Sequence, residues 1–293
     1  MIQALFLAVL LSAIFAFFVP SVQSRLRSTL KAAPARIWLL PLLLTAVFGT
    51  ASWVAGAFSL NLTALILAYS AAPVLCVYRL GQDGKIPHAL DFLAVLLLWL
   101  PLEFAAGQTL VPRPAQGFLH SVAYGIAILL GLVLFLGFRS LPGMKCQFPR
   151  QRRDFWLPLA AFAMVAPVLV VVGIAIGFIP PPHLPVQPAG RMGAAVGIIF
   201  AGTAIPEEIL FRALIQNLLM LRFGRSLRML LLASFIFGCA HLDNGPQPLP
   251  NWRYMILATV AGIAYGKVFE MASTLFSSAA LHTLVDWTKH FFF

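Results

Sequence analysis

The feature that most restricts what this chain can fold into is a series of apolar runs, joined by short loops that carry most of the basic residues. A helix needs about 20 apolar residues to cross a bilayer, and its backbone groups must all be paired within the segment. The runs fall at 2–20, 37–58, 61–78, 89–107, 119–138, 155–179, 192–221, 228–242, 252–270 and 273–290. They predict an all-α fold, a polytopic transmembrane helix bundle of about 8–10 spans. The eighth run is short, so either its ends shift or its helix stops inside the protein. No basic flank precedes the first run, which fits a retained helix better than a cleaved signal peptide. With 61% apolar and 10% charged residues, the chain has more apolar sequence than one soluble core can bury.

The formal net charge of +11 is topogenic rather than a sign of nucleic-acid binding. Arg25, Arg27, Lys31 and Arg36 follow the first run, and Arg79 and Lys85 follow the third. Arg139, Lys145, Arg150, Arg152 and Arg153 follow the fifth; Arg222, Arg225 and Arg228 follow the seventh. Loops rich in Lys and Arg stay cytoplasmic, which would put both termini outside. Cys76, Cys146 and Cys239 are scattered and offer neither a disulfide framework nor a thiolate metal site.

The proline-rich stretch 179–191 cannot be helical throughout and is the clearest boundary. It separates an N-terminal transmembrane region, 1–185, from a segment, 190–290, in which the buried ionisable residues concentrate. In the front region Asp91 suits a helix N-terminus, and Glu103 suits an interface or a pair with Arg113. His88, His120, His183 and His290 lie in or beside loops and receive no site role. Lys267 and Glu270 pair or face water, and Asp243 opens a turn.

Within the seventh run stands Pro206-Glu207-Glu208-Ile209-Leu210-Phe211-Arg212. A charged side chain at bilayer depth costs roughly 2.5–3.5 kcal/mol, so an ionisable cluster there is a functional-site hypothesis by default. On a helix Glu208 and Arg212 are i and i+4 with the acid first, the favourable order. Glu207 points about 100° away and need not share that partner. One carboxylate is held, and its neighbour is left for chemistry.

Two more groups follow on later runs. Phe237 and His241 are i and i+4, as are His282 and Asp286, and Gly262 and Gly266 between them mark a close helix contact. A Glu beside a His can activate water, and a second His can donate to a developing oxyanion. Glu207, His241 and His282 equally suit a zinc site with an open position. Spacing alone leaves both open.

At these residues the chain resembles the CAAX-protease and bacteriocin-processing (CPBP, or Abi) family of intramembrane endopeptidases. Its Glu-Glu-x-x-x-Arg, Phe-x-x-x-His and His-x-x-x-Asn/Asp motifs match Glu207 to Arg212, Phe237 to His241 and His282 to Asp286 in order. The resemblance covers about residues 190–290 and implies a catalytic core there. It implies Glu207 as the base that activates water, assisted by His241, with His282 and Asp286 stabilising the oxyanion. Glu208 and Arg212 would shape the site or contact the substrate, and Phe237 would pack beside the reacting centre. An ionised Asp286 would repel an oxyanion, so it is either protonated or orients His282.

The function implied is hydrolysis of a peptide bond near the terminus of a membrane-associated peptide, such as a prenylated protein, a leader or a sorting tail. A metal-free glutamate mechanism is favoured, with zinc as the alternative. Membrane lipid and the substrate are the partners implied, and compactness points to a bacterial inner membrane. The competing readings are a non-catalytic immunity factor or scaffold and a proton-relay transporter. The charge alternation places His241 near the outer face, whereas the prenyl-protein proteases of this family open to the cytosol.

Overall fold

A computed structural model describes residues 2–103, 116–244 and 248–293, and its regular elements are helices. Among the described residues, six helices are long and apolar enough to cross a membrane, or seven if one bent pair counts as a single span. The expected bundle is present, but several expected spans are interrupted, short or polar. The first run forms α1 (Ile2–Ala16) and ends at Pro20, where the basic stretch after it forms a second helix, α2 (Pro20–Ala32), bent by 81° from the first. Pro20 lacks the N–H that would continue α1, but is well suited to start α2.

The chain forms two compact units, Met1–Met144 and Lys145–Phe293. In the first, α3 (Leu39–Val54), α4 (Leu60–Leu80), α5 (Ala89–Glu103) and α6 (Gly117–Phe138) pack with α1. Asp91 lies in the first turn of α5, where Oδ2 accepts from the His88 N–H at 2.9 Å. Both its oxygens also accept from Arg139, each at 2.9 Å. Glu103 accepts from Tyr124 and Trp99, while Arg113 lies outside the described residues.

The second unit contains α7 (Arg153–Ala175), the 35-residue α8 (Ala189–Phe223), α9 (Leu227–Cys239), α10 (Trp252–Met271) and α11 (Leu275–Phe292). Because α7 packs on α10 and α11, the proline-rich stretch lies inside this unit rather than between units. Ser226, Asn251 and Thr274 cap α9, α10 and α11 by accepting from backbone N–H groups. The eighth run becomes the 13-residue α9 and stops before His241. Although α11 has 18 residues, His282, Asp286, Lys289 and His290 keep it out of the apolar set.

The two ends of this unit differ. At one, Lys145 Nζ donates to the carbonyls of Phe269, Glu270 and Ala272 at 2.5–3.0 Å. Asp154 binds the Ser273 N–H and hydroxyl there at 2.9 and 2.6 Å. The α8–α9 loop belongs to the same end, since Leu230 and Gln216 both meet Gly266. At the other end Arg253 donates to the Gly177 carbonyl, and the His183 N–H to that of Phe292.

Candidate active site

The site is built from the middle of α8 outward. Pro206 cannot bond the carbonyl four residues earlier, and its ring crowds that position. The helix meets this with wider, π-type turns over Phe200–Ala204 and Ile209–Gln216, flanking a short α-helical step at Ile205–Glu208. Such turns redirect side chains and occur often at functional sites.

Glu208 is fully buried and held from two sides. Its Oε2 accepts from Arg212 Nε at 3.1 Å, and its Oε1 faces His282 Nδ1 at 3.2 Å. The Arg212 guanidinium lies over the rings of Phe237 and Tyr265, 4.8 and 5.7 Å from their centroids. This pairing reduces the cost of placing both charges away from water. Glu207 differs, with 31% of its side chain exposed and Oε2 3.8 Å from His282 Nε2.

His282, on α11, therefore sits among three carboxylates, because Asp286 Oδ2 also lies 3.4 Å from Nε2. An ionised carboxylate only accepts, so the imidazole satisfies both sides by donating at both nitrogens. Tyr265 stacks on this ring at 4.6 Å with an interplanar angle of 19°. His241 lies in the turn after α9, and its Nδ1 is 2.9 Å from the Phe237 carbonyl. Since a carbonyl only accepts, Nδ1 carries the hydrogen and the neutral ring keeps a lone pair at Nε2.

Phe237 joins the parts. Its ring makes edge contacts with His241, His282 and Phe211 at 4.8, 5.8 and 4.9 Å. The glycines allow that closeness: a methyl on Gly262 would stand 3.1 Å from Phe237, and one on Gly238 2.6 Å from the Met255 carbonyl oxygen. Among the described residues no group of three His, Cys, Asp or Glu is arranged to hold a metal ion. Glu207, His241 and His282 as placed do not form such a set, because both nitrogens of His282 are turned to carboxylates.

A cavity of about 80 Å³ runs from Phe237, His241 and His282 to Asp286 and Lys289. It shares Phe178, Tyr254, Asp286 and Lys289 with a wider groove of about 680 Å³ that reaches Ile198 and His290. The walls are mostly apolar, which suits a hydrophobic peptide. Tyr254 meets His241 edge-on at 4.5 Å, and Lys289 Nζ lies over the Tyr254 ring at 4.1 Å.

All seven residues singled out in the sequence are thus gathered in one region of this unit. Tyr254, Tyr265 and Lys289 were missed. Lys289 lies three residues beyond Asp286 on the same helix, and Tyr265 sits between the paired glycines, which were the available signals. Residues 190–288 match the family model described as type II CAAX prenyl endopeptidase Rce1-like, in agreement with the three motifs. No curated protein and no solved structure matches the chain.

Proposed function

From a final third that matches a family of CAAX prenyl endopeptidases, we propose that the protein is an intramembrane endopeptidase of the glutamate type, acting near the terminus of a membrane-associated peptide. The observation that carries this reading is the unequal treatment of two adjacent carboxylates. Glu208 is fixed by Arg212 and His282, whereas Glu207 stays partly exposed beside the same imidazole. A fixed carboxylate organises a site; a partly exposed one can accept a proton.

In this mechanism Glu207 takes a proton from a water molecule as its oxygen attacks the scissile carbonyl carbon. His241, with its Nε2 lone pair, helps to hold that water. The carbonyl oxygen becomes an oxyanion, stabilised by the N–H of His282 at Nε2. Asp286 acts on His282, holding the ring through its contact at Nε2 until the developing oxyanion takes that hydrogen, rather than on the oxyanion directly. Collapse of the tetrahedral intermediate breaks the C–N bond, and the proton held by Glu207 passes to the leaving amine. A bacterial inner membrane is the proposed location.

The test is cleavage of membrane-bound peptides by the purified full-length protein, wild type against Glu207→Gln, with and without chelator. Glutamine keeps the shape and cannot act as a base. Loss of cleavage in the variant with no effect of chelator supports the mechanism. Loss in chelator with recovery on adding zinc would assign ligand roles instead, and undiminished cleavage by the variant sinks the reading.

A further inference from the structure

We infer that this site opens to the extracytoplasmic side of the membrane and takes an apolar peptide tail presented there. The inference rests on the peptidase reading above and deepens it by naming where the substrate comes from. The second unit carries eight Lys and Arg residues at the end formed by the Lys145–Arg153 loop, the α8–α9 loop and Lys267. The opposite end carries three: Arg191, Arg253 and Lys289. The contacts already described place those basic loops together, so the asymmetry belongs to the folded bundle and not only to the sequence order. Basic short loops remain cytoplasmic, so the end bearing Arg253 and Lys289 faces outward.

The cavity and groove open at that outward end. His290 is exposed at the groove, and His282 lies eight residues deeper on the same helix, about 12 Å at 1.5 Å per residue. Toward the basic end the way is closed. Arg212, Leu214 and Gln216 are buried one to two turns beyond Glu208, and Gln216 Nε2 donates to the Gly266 carbonyl at 3.1 Å. A peptide bond and a water molecule thus reach His241, His282 and Asp286, which line the cavity, from the outward end, and Glu207 Oε2 lies 3.8 Å from His282 Nε2.

The chemistry of the groove describes the occupant. Ile198, Ile199 and Phe293 make it apolar, and the Lys289 ammonium stands where it meets the cavity. An apolar tail bearing a carboxylate, belonging to an exported and membrane-anchored polypeptide, fits both. A prenylated tail on the cytoplasmic face would meet the closed end.

Orientation can be read without any cleavage. In a full-length chain with Cys76, Cys146 and Cys239 replaced by alanine, Val186→Cys and Arg225→Cys would be labelled by a membrane-impermeant maleimide in intact bacterial cells. Val186 is 89% exposed and Arg225 is also exposed, so both substitutions leave the packing alone. The expected result is labelling of Val186→Cys in intact cells and of Arg225→Cys only after lysis. The reverse pattern, or labelling of both in intact cells, overturns the inference. If the cysteine-free chain does not accumulate, the same substitutions in the natural background, with the parent as blank, give the same reading.

A second arm fuses one apolar acidic tail to an exported or to a cytoplasmic reporter. Cleavage of the exported reporter alone is expected, and cleavage of the cytoplasmic one overturns the inference. Cleavage that survives Glu207→Gln would defeat the peptidase mechanism while leaving the labelling result standing.

Discussion

Glu208 and Arg212 meet at 3.1 Å one helical turn apart, and neither side chain has any exposed surface. A buried pair of this kind is worth little against an apolar replacement but is costly to break from one side. Arg212→Met, which leaves a buried carboxylate with His282 and Ser278 but no guanidinium, should destabilise the protein by about 3–5 kcal/mol. The double variant Glu208→Gln/Arg212→Met should recover much of that loss. Thermal melting in detergent of both variants measures the difference; equal losses would show that the pair is not the cause.

Glu207 obeys a different logic because 31% of its side chain is exposed beside His282. Glu207→Gln should lower the cleavage rate by about 10²–10⁴-fold, the range for removing a general base. Its melting temperature should stay near that of the wild type. A fall in both would point to a structural carboxylate instead.

The different surroundings of Glu207 and Glu208 were legible in the sequence, because adjacent residues on a helix point about 100° apart. So were the pairs at i and i+4 and the close approach at Gly262 and Gly266. The π-type turns around Pro206 were not, since their hydrogen-bond pattern follows from how α8 accommodates the proline within its packing. The contacts of Tyr265 and Tyr254 were also hidden, as each depends on which imidazole the tertiary fold brings to its ring. The bend after Ala16 had its signal in Pro20, but the polar, basic stretch 20–32 reads as a loop rather than as the helix it forms.

Gly238 tests the helix packing that brings Phe237 into place. A Cβ there would lie 2.6 Å from the Met255 carbonyl oxygen, which belongs to the backbone of α10 and cannot rotate away. Gly238→Ala should therefore cost about 1–3 kcal/mol. Gly197→Ala on α8 meets no atom within 4 Å and should be neutral or stabilising by up to about 1 kcal/mol. Comparing the two melting temperatures separates the contact from the general effect of replacing glycine in a helix.

Lys289 places its ammonium over Tyr254 and Phe178 where the groove meets the cavity. With a peptide that carries a carboxylate near its end, Lys289→Met should raise KM by about tenfold, which corresponds to roughly 1.4 kcal/mol of binding. The kcat should change less than KM, because the ammonium lies over the Tyr254 and Phe178 rings where the groove meets the cavity. A peptide amidated at that carboxylate should show no difference between variant and wild type, and this is the control that assigns the effect to charge.

Asp286 separates two roles that one carboxylate could play beside His282. It lies 3.4 Å from Nε2, so it can position the ring or, if protonated, donate to an oxyanion. Asp286→Asn keeps an oxygen that can accept from the ring and removes the charge, whereas Asp286→Ala removes the contact altogether. If positioning is the role, the Asn variant should stay within about tenfold of the wild type, and the Ala variant should lose about 10–100-fold, as when a group that orients a histidine is removed. The pH dependence of kcat/KM adds a second readout. Substituting Asp286 removes a negative charge beside the His282 ring, so the profile should shift to lower pH in both variants. A donating Asp286 predicts an unshifted profile and an Asn variant as active as the wild type, since the amide donates as well as a protonated acid.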